Sequence, residues 1–418
     1  MRQGAVHTGM TRHTTRRSVL AAAGAVSLAG CLGIGGGDGD GGSSGGDGGG
    51  GSDGTGSGGE NSGAGDGGGT TTDAPTDTPS TSEAGIPLAG SSLPVAWEFD
   101  HLRDETVSGG PPKDGIPSVD DPSFQSADEA NGWLDDGDVV FGVVAGGEAR
   151  AYPQRILVWH EITNDVLPAL PGDDSRSDVP VSITYCPLTG TTLGFERGGT
   201  TFGVSGRLVN SNLVMYDRAT DSRWPQVLGT AVRGRFEGRS LRQFPVVWTS
   251  WGQWRAAHPD TRVMTRETGY ARDYNRDPYG SYNPRGGYYT GDNTLFGPLE
   301  EDDRLAAKAV VAGVRTPEGF AAFDKDRVFE VGTMTGDVGD VPHLAVHDPR
   351  FDAVYVYRNP DGLSFELSGS GADATVSGPD GDYAPGNLPL RQIPAFDAMW
   401  FAWAGFYPDT PLYQEGSA

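Results

Sequence analysis

The folded part of this 418-residue chain is predicted to be α+β and mainly β: two degenerate repeats, each a small antiparallel sheet or half-barrel with one packed helix. Three observations lead there. Short β-branched runs punctuated by Gly and Pro recur along the chain. A stretch late in the first half repeats in the second: Leu241 to Thr261 and Leu390 to Thr410 agree at nine of twenty-one positions without a gap. Apolar residues at helical spacing occur once near the end of each half.

The repeat fixes the boundaries. Leu241-Arg242-Gln243-Phe244-Pro245 matches Leu390-Arg391-Gln392-Ile393-Pro394, Trp251 and Trp254 match Trp400 and Trp403, and Pro259-Asp260-Thr261 matches Pro408-Asp409-Thr410. Upstream, Val179-Pro180 pairs with Val341-Pro342 and Pro187 with Pro349. The halves are therefore 136–265 and 306–418, joined by a Tyr- and Gly-rich connector, 266–305, and preceded by a lead-in segment, 93–135. Strands are expected at Val139 to Val144, Val181 to Tyr185, Thr191 to Phe195 and Thr201 to Ser205. A helix is expected over Val247 to Ala257, with Val247, Trp251 and Trp254 on one face, and again with Phe396, Trp400 and Trp403. Pro259 and Pro408 stop both. Helical spacing makes these Trp residues core packing rather than a sugar-stacking platform.

The first 31 residues form a targeting segment and are excluded from fold reasoning. Arg12, Arg16 and Arg17 supply a positive start, and Thr15-Arg16-Arg17-Ser18-Val19-Leu20 is a twin-arginine pattern. The apolar run Val19 to Ala29 is shorter than the roughly 20 residues a spanning helix needs. Leu28-Ala29-Gly30-Cys31 resembles a lipobox, in which Cys31 is lipidated and becomes the mature N-terminus. The expected location is the outer face of the cytoplasmic membrane. Residues 32–92 are a Gly, Ser, Asp and Thr tract too polar to bury a core, and so a hydrated tether. Sixty such residues span roughly 40 Å.

The net charge is −25. That excludes nucleic acid as a partner, because phosphates would be repelled. Only Lys113, Lys308 and Lys325 are lysines. Acidic excess with so little lysine resembles proteins of haloarchaea, in which carboxylates hold water in concentrated salt. With Cys31 lipidated, Cys186 is the remaining thiol and no internal disulfide forms.

A duplication separates scaffold from function: polar features confined to one half are the candidates. The first is Tyr185-Cys186-Pro187-Leu188-Thr189-Gly190, where the second half has His347-Asp348-Pro349-Arg350. The next is Trp159-His160-Glu161-Ile162, whose counterpart lacks a His. The last is Asn210 to Gln226, with Asn212, Tyr216, Asp217, Arg218 and Trp224 as candidate binding residues. A Cys-x-x-Thr turn suits thiol chemistry, because turn amides and the Thr189 hydroxyl can lower a thiolate's pKa. Arg218 or Arg223 would add positive charge, and His160 would carry the proton. Cys186, Thr189 and His160 are thus the catalytic candidates.

These stretches resemble the family grouped as domain of unknown function 3179. The resemblance rests on Ala151-Tyr152-Pro153, Trp159-His160-Glu161-Ile162, Thr184-Tyr185-Cys186-Pro187-Leu188, Phe202-Gly203-Val204-Ser205-Gly206, Asn212 through Met215-Tyr216-Asp217-Arg218, Trp248 to Trp254 and Trp400-Phe401-Ala402-Trp403-Ala404. It covers nearly everything from Val139 to Tyr413. Many members are similar to Cys-Pro-Leu-Cys-Gly at Cys186 to Gly190, and some carry selenocysteine there. The resemblance therefore implies redox chemistry. Here Thr189 stands at the second chalcogen's place, so a two-thiol cycle lacks its second sulfur.

The leading expectation is a single-thiol redox enzyme in which Cys186 forms a sulfenate or a mixed disulfide resolved by an external thiol reductant. The alternative is a non-enzymatic surface module binding a glycan, peptide or envelope partner; the connector, rich in Tyr, Arg and Asn from Tyr270 to Tyr282, has the composition of a recognition loop or of a strap across both halves. A metal site built from Cys186 and two of His160, His258, His343 and His347 lacks ligand spacing. A hydrolase using Cys186 and His160 with Asn164 or Asp165 lacks a nucleophile signature. The residues name no substrate, cofactor or oligomeric state.

Overall fold

The computed structural model describes residues 80–81 and 85–415. The targeting segment with Cys31 and most of the tether lie outside the described residues. The fold is mainly β, with several small, mostly antiparallel sheets. Among the described residues no helix is long and apolar enough to cross a membrane.

In the first half, Val247–Ser250, Val139–Ala145, Glu148–Pro153, Arg262–Met264 and Phe124–Gln125 form one five-stranded sheet in that order. A second runs Gln243–Phe244, Thr191–Glu196, Val179–Cys186, Ile162–Leu167 and Val119–Asp120. The lead-in segment thus contributes edge strands, and Val119–Asp120 pairs parallel to Ile162–Leu167. A third sheet holds the hairpin Phe202–Val209 and Asn212–Asp217, with Arg223–Pro225 on one side and Val107–Ser108 on the other. In the second half, Ala395–Met399, Val310–Thr316, Gly319–Asp324 and Leu412–Tyr413 form one sheet, and Thr333–Val338, Val341–Asp348, Ala353–Arg358 and Arg391–Ile393 another.

The expected strands are present at Val139–Ala145, Val179–Cys186, Thr191–Glu196 and Phe202–Val209. The helices need correction. Val247–Ser250 is a strand paired with Val139–Ala145, and the helix starts only at Trp251, ending at Ala257. Ser250 sets that start: its hydroxyl accepts from Gln253 N, and the Gln253 side chain returns to the Ser250 backbone, a capping box. Ahead of it, Val-Trp-Thr is β-branched and aromatic, and an open strand edge claims it. Likewise Ala395–Met399 is a strand and Trp400–Phe406 the helix. Four further helices among the described residues, Phe99–Asp104, Ala127–Ala130, Gln154–His160 and Lys325–Val331, were not expected. None is longer than seven residues, about two turns.

The four matched Trp residues are fully buried, as core positions should be. Trp254 lies flat on Gly142 and Trp403 on Gly313, so closely that a Cβ at either glycine would overlap the ring. Each indole N–H donates to a threonine: Trp254 to Thr261 at 2.9 Å and Trp403 to Thr410 at 3.2 Å. The shared Pro-Asp-Thr therefore both stops the helix and satisfies the buried indole.

Candidate thiol site

Cys186 ends the strand Val179–Cys186, opposite Thr191 on its neighbour. Between them the chain turns through Gly190, whose φ of +59° is a left-handed value that glycine adopts without strain. The turn is fixed from outside: Met399 N donates to Thr189 O at 2.9 Å, and Tyr288 OH to Leu188 O at 2.7 Å.

Next to the turn stands the hairpin bend Asn210-Ser211. Both residues have positive φ (+53° and +59°), the signature of a type I′ turn. Side-chain bonds hold it in place. Asn210 Nδ2 donates to Ala402 O at 2.7 Å and Ser211 Oγ to Phe296 O at 2.6 Å. Cys186 Sγ donates to Ser211 O at 3.8 Å.

Under the turn lies a closed polar network. Asn212 Nδ2 donates to Thr189 Oγ1 at 3.1 Å and to Gln226 Oε1 at 3.0 Å, while Asn212 Oδ1 accepts from Val227 N at 2.9 Å. Thr191 Oγ1 donates to Gln226 Oε1 at 2.6 Å, and Gln226 Nε2 to Thr184 Oγ1 at 2.9 Å. Because the Thr191 proton goes to Gln226, Thr189 donates across their 2.8 Å contact. The Thr189 hydroxyl also favours the ionised form of Cys186. Every member of this network is fully buried, so each bond missing would leave a desolvated polar group.

The fourth component is Glu161. It caps the helix Gln154–His160 with φ of +58°, where the helix Lys325–Val331 is capped by Gly332 at +80°. A left-handed glutamate costs roughly 1–2 kcal/mol. The residue is only 7% exposed, and among the described residues its carboxyl has no hydrogen-bond or ion-pair partner. Its negative charge raises the pKa of both Cys186 and Tyr279. Burial pushes the Glu161 carboxyl up to about 8.

The expected depression of the thiol pKa is not found. Burial, with the Glu161 charge adding to it, pushes Cys186 up to about 11. Donors from Thr189 and the Leu213 backbone oppose this and lose. The thiol is 1% exposed. Its roof is the connector: Tyr279 and Tyr288 pack against its cluster, and Asp277 ties the loop down by accepting from Gln154 at 2.8 Å and Tyr289 at 2.9 Å. The connector is thus a strap whose tyrosines mostly point inward.

His160 is not beside the thiol chemistry. Nδ1 donates to Pro117 O at 2.7 Å and Nε2 accepts from Tyr274 OH at 2.7 Å. Burial lowers it to about 4, so it is neutral and its ring is fully engaged. Asn164 and Asp165 bond to Ser182 and to Arg150 and Tyr152, away from that ring. His258 stacks on Phe351, His347 on Phe329, and His343 bonds to Val341 O. Among the described residues no three His, Cys, Asp or Glu side chains converge on one point.

Of the binding candidates, only Asn212 joins the site. Asp217 lies five residues along the strand, roughly 17 Å away at the usual rise. Its carboxylate accepts from Thr220 N, Ser222 N and Trp224 Nε1, ordering a turn and the buried Trp224. Tyr216 OH donates to Asp114, and Arg218 to Ser118, Asp120 and Thr201, so both fasten the lead-in segment. Arg223 pairs with Asp221 there as well, so neither arginine charges the thiol.

Sequence reasoning passed over Glu161, Gln226, Ser211, Tyr279 and Tyr288. Glu161 did carry a signal, being an acidic residue between two apolar elements where the other half has glycine. The chain matches the model of a family described as "Protein of unknown function (DUF3179)" over residues 113–410. No curated protein and no solved structure matches it.

Proposed function

The chain belongs to the DUF3179 family, and we propose that it is a single-thiol oxidoreductase in which Cys186 reacts and Glu161 takes its proton. The observation that carries this is the buried Glu161 carboxyl, without a hydrogen-bond partner among the described residues, whose charge acts on the sulfur. In the closed state, moving the proton from a thiol near 11 to a carboxylate near 8 costs roughly 4 kcal/mol, so Cys186 is protected. Lifting Tyr279 and Tyr288 admits water, relieves the desolvation that holds the thiol up, and opens a path to the sulfur. The Sγ–H proton then passes through an admitted water to the Glu161 carboxylate, and the thiolate attacks an external disulfide. An S–S bond forms to Cys186 as the substrate's S–S bond breaks, and the departing thiolate takes the proton from Glu161. One thiol of an external dithiol reductant then attacks the substrate sulfur of the mixed disulfide, so that an S–S bond forms between reductant and substrate, the bond to Cys186 breaks, and the Cys186 sulfur takes the attacking thiol's proton. The reductant's second thiol displaces the substrate thiol, which leaves protonated, and closes the reductant's own disulfide. Two electrons pass from reductant to disulfide.

This chemistry is placed on the outer face of the cytoplasmic membrane of a salt-adapted cell, exported through the twin-arginine pattern and held by lipid on Cys31. The single internal thiol supports an outside reductant, within reach of a tether roughly 40 Å long. The scaffold is read as a duplication. Supporting that, the succession strand, strand, helix, strand, strand, strand occurs from Val139 to Glu196 and again from Val310 to Arg358, with element lengths of 7, 6, 7, 6, 8 and 6 residues each time.

The test compares two cysteine variants of the full chain in its native host. Cys31→Ser moves the protein from the membrane fraction to the medium yet keeps exchange with a small aromatic disulfide. Cys186→Ser stays on the membrane and loses exchange. Equal exchange by Cys186→Ser and its parent would overturn the chemistry, and membrane retention of Cys31→Ser would overturn the anchor.

A further inference from the structure

A second site stands apart from the thiol. Between the edge strand Val247–Ser250 and the helix Lys325–Val331 lies a cleft of about 290 Å³, at the small end of ligand sites, which run from about 300 Å³. Trp248 and Tyr282, with ring centroids 4.7 Å apart, form one wall, and Phe329 contributes to the other. The polar groups inside are held in place by the protein. Lys325 Nζ pairs with Asp397 at 2.5 Å, the two side chains being 11% and 14% exposed. Asp352 accepts from Gln253 Nε2 at 2.6 Å.

Three classes of small molecule can be weighed against this lining. An anion would meet the carboxylates of Asp326, Asp352 and Asp397 against the cations of Arg285 and Lys325, a net repulsion. An apolar molecule would strip water from the Lys325–Asp397 pair and return no hydrogen bonds, which is costly for a buried charge pair. A neutral sugar ring fits both halves of the lining. Its C–H face covers an aromatic ring, and its hydroxyls donate to Asp352 and Asp397 and accept from Lys325. Such multi-hydroxyl ligands replace the water they displace bond for bond.

We infer that this cleft binds one neutral hexopyranose unit, stacked on its aromatic wall and hydrogen-bonded to the Lys325–Asp397 pair. The site is independent of the thiol reading: Tyr282 is the partition, with its ring in the cleft wall and its hydroxyl against the turn at Gly190. The test is calorimetric titration of the full chain with methyl glucoside, galactoside and mannoside, and with succinate as the anionic control. Saturable binding of at least one glycoside at about 1 mM or tighter is expected. Asp397→Asn weakens it about tenfold, and Phe329→Ala, which removes the half-buried ring of the opposite wall, does the same. Cys186→Ser leaves it unchanged, which separates failure here from failure of the thiol chemistry. Binding to no glycoside, tighter binding of succinate, or indifference to both cleft variants would overturn the inference.

Discussion

Glu161→Gln gains on its parent by roughly 5 kcal/mol of unfolding free energy between pH 4 and pH 9. The sign follows from burial. In the unfolded chain this carboxyl has its ordinary value of 4.5, and in the fold it rises to about 8. Above 4.5 the unfolded state has released the proton that the native state still holds. The parent's stability from this group is therefore fully present below 4.5 and is lost as pH rises through 8. Glutamine never ionises, so the variant loses none. Chemical denaturation of both proteins at matched salt across that range measures the difference, from which the other titrating groups cancel. A difference that stays flat with pH would mean that water or a cation reaches the carboxyl.

Asn212→Ala destabilises the fold by roughly 3–5 kcal/mol, because it strands several buried groups at once. Val227 N loses its acceptor, and Thr189 Oγ1 and Gln226 Oε1 lose a donor. The turn carrying Cys186 loosens with it, so alkylation of the native protein speeds up in parallel. Urea midpoints and alkylation rates on one preparation report the two effects. A loss below 1 kcal/mol would show that water restores the network.

The strands, the glycine turn after Cys186 and the buried Trp residues were legible because each rests on local pattern. Period two, a left-handed glycine and helical spacing all leave marks in sequence. The start of the helix at Trp251 was obscured because Val247 continues the helical face by coincidence while its backbone pairs with Val139–Ala145. His160 misled for a different reason: which way a chain-adjacent pair points depends on tertiary structure. The helix ends at His160, and the left-handed turn at Glu161 sends the histidine to Pro117 and the glutamate toward the sulfur. Nor could the connector's tyrosines be assigned from composition, since Tyr serves equally as a recognition residue and as a roof. The fall of Cys186 into the core is a sum of burials from three distant segments, and no local window contains it.

The central claim is that Glu161 accepts the Cys186 proton. The direct test is the pH profile of Cys186 alkylation by a small neutral reagent, in the parent and in Glu161→Gln. The parent rate should rise through an inflection near 8 and continue upward toward 11 as the thiol itself ionises. Glu161→Gln should lack the lower inflection and retain only the upper rise, shifted to lower pH because the neighbouring negative charge is gone. An inflection near 8 that survives in Glu161→Gln would assign the proton to another group and contradict the account.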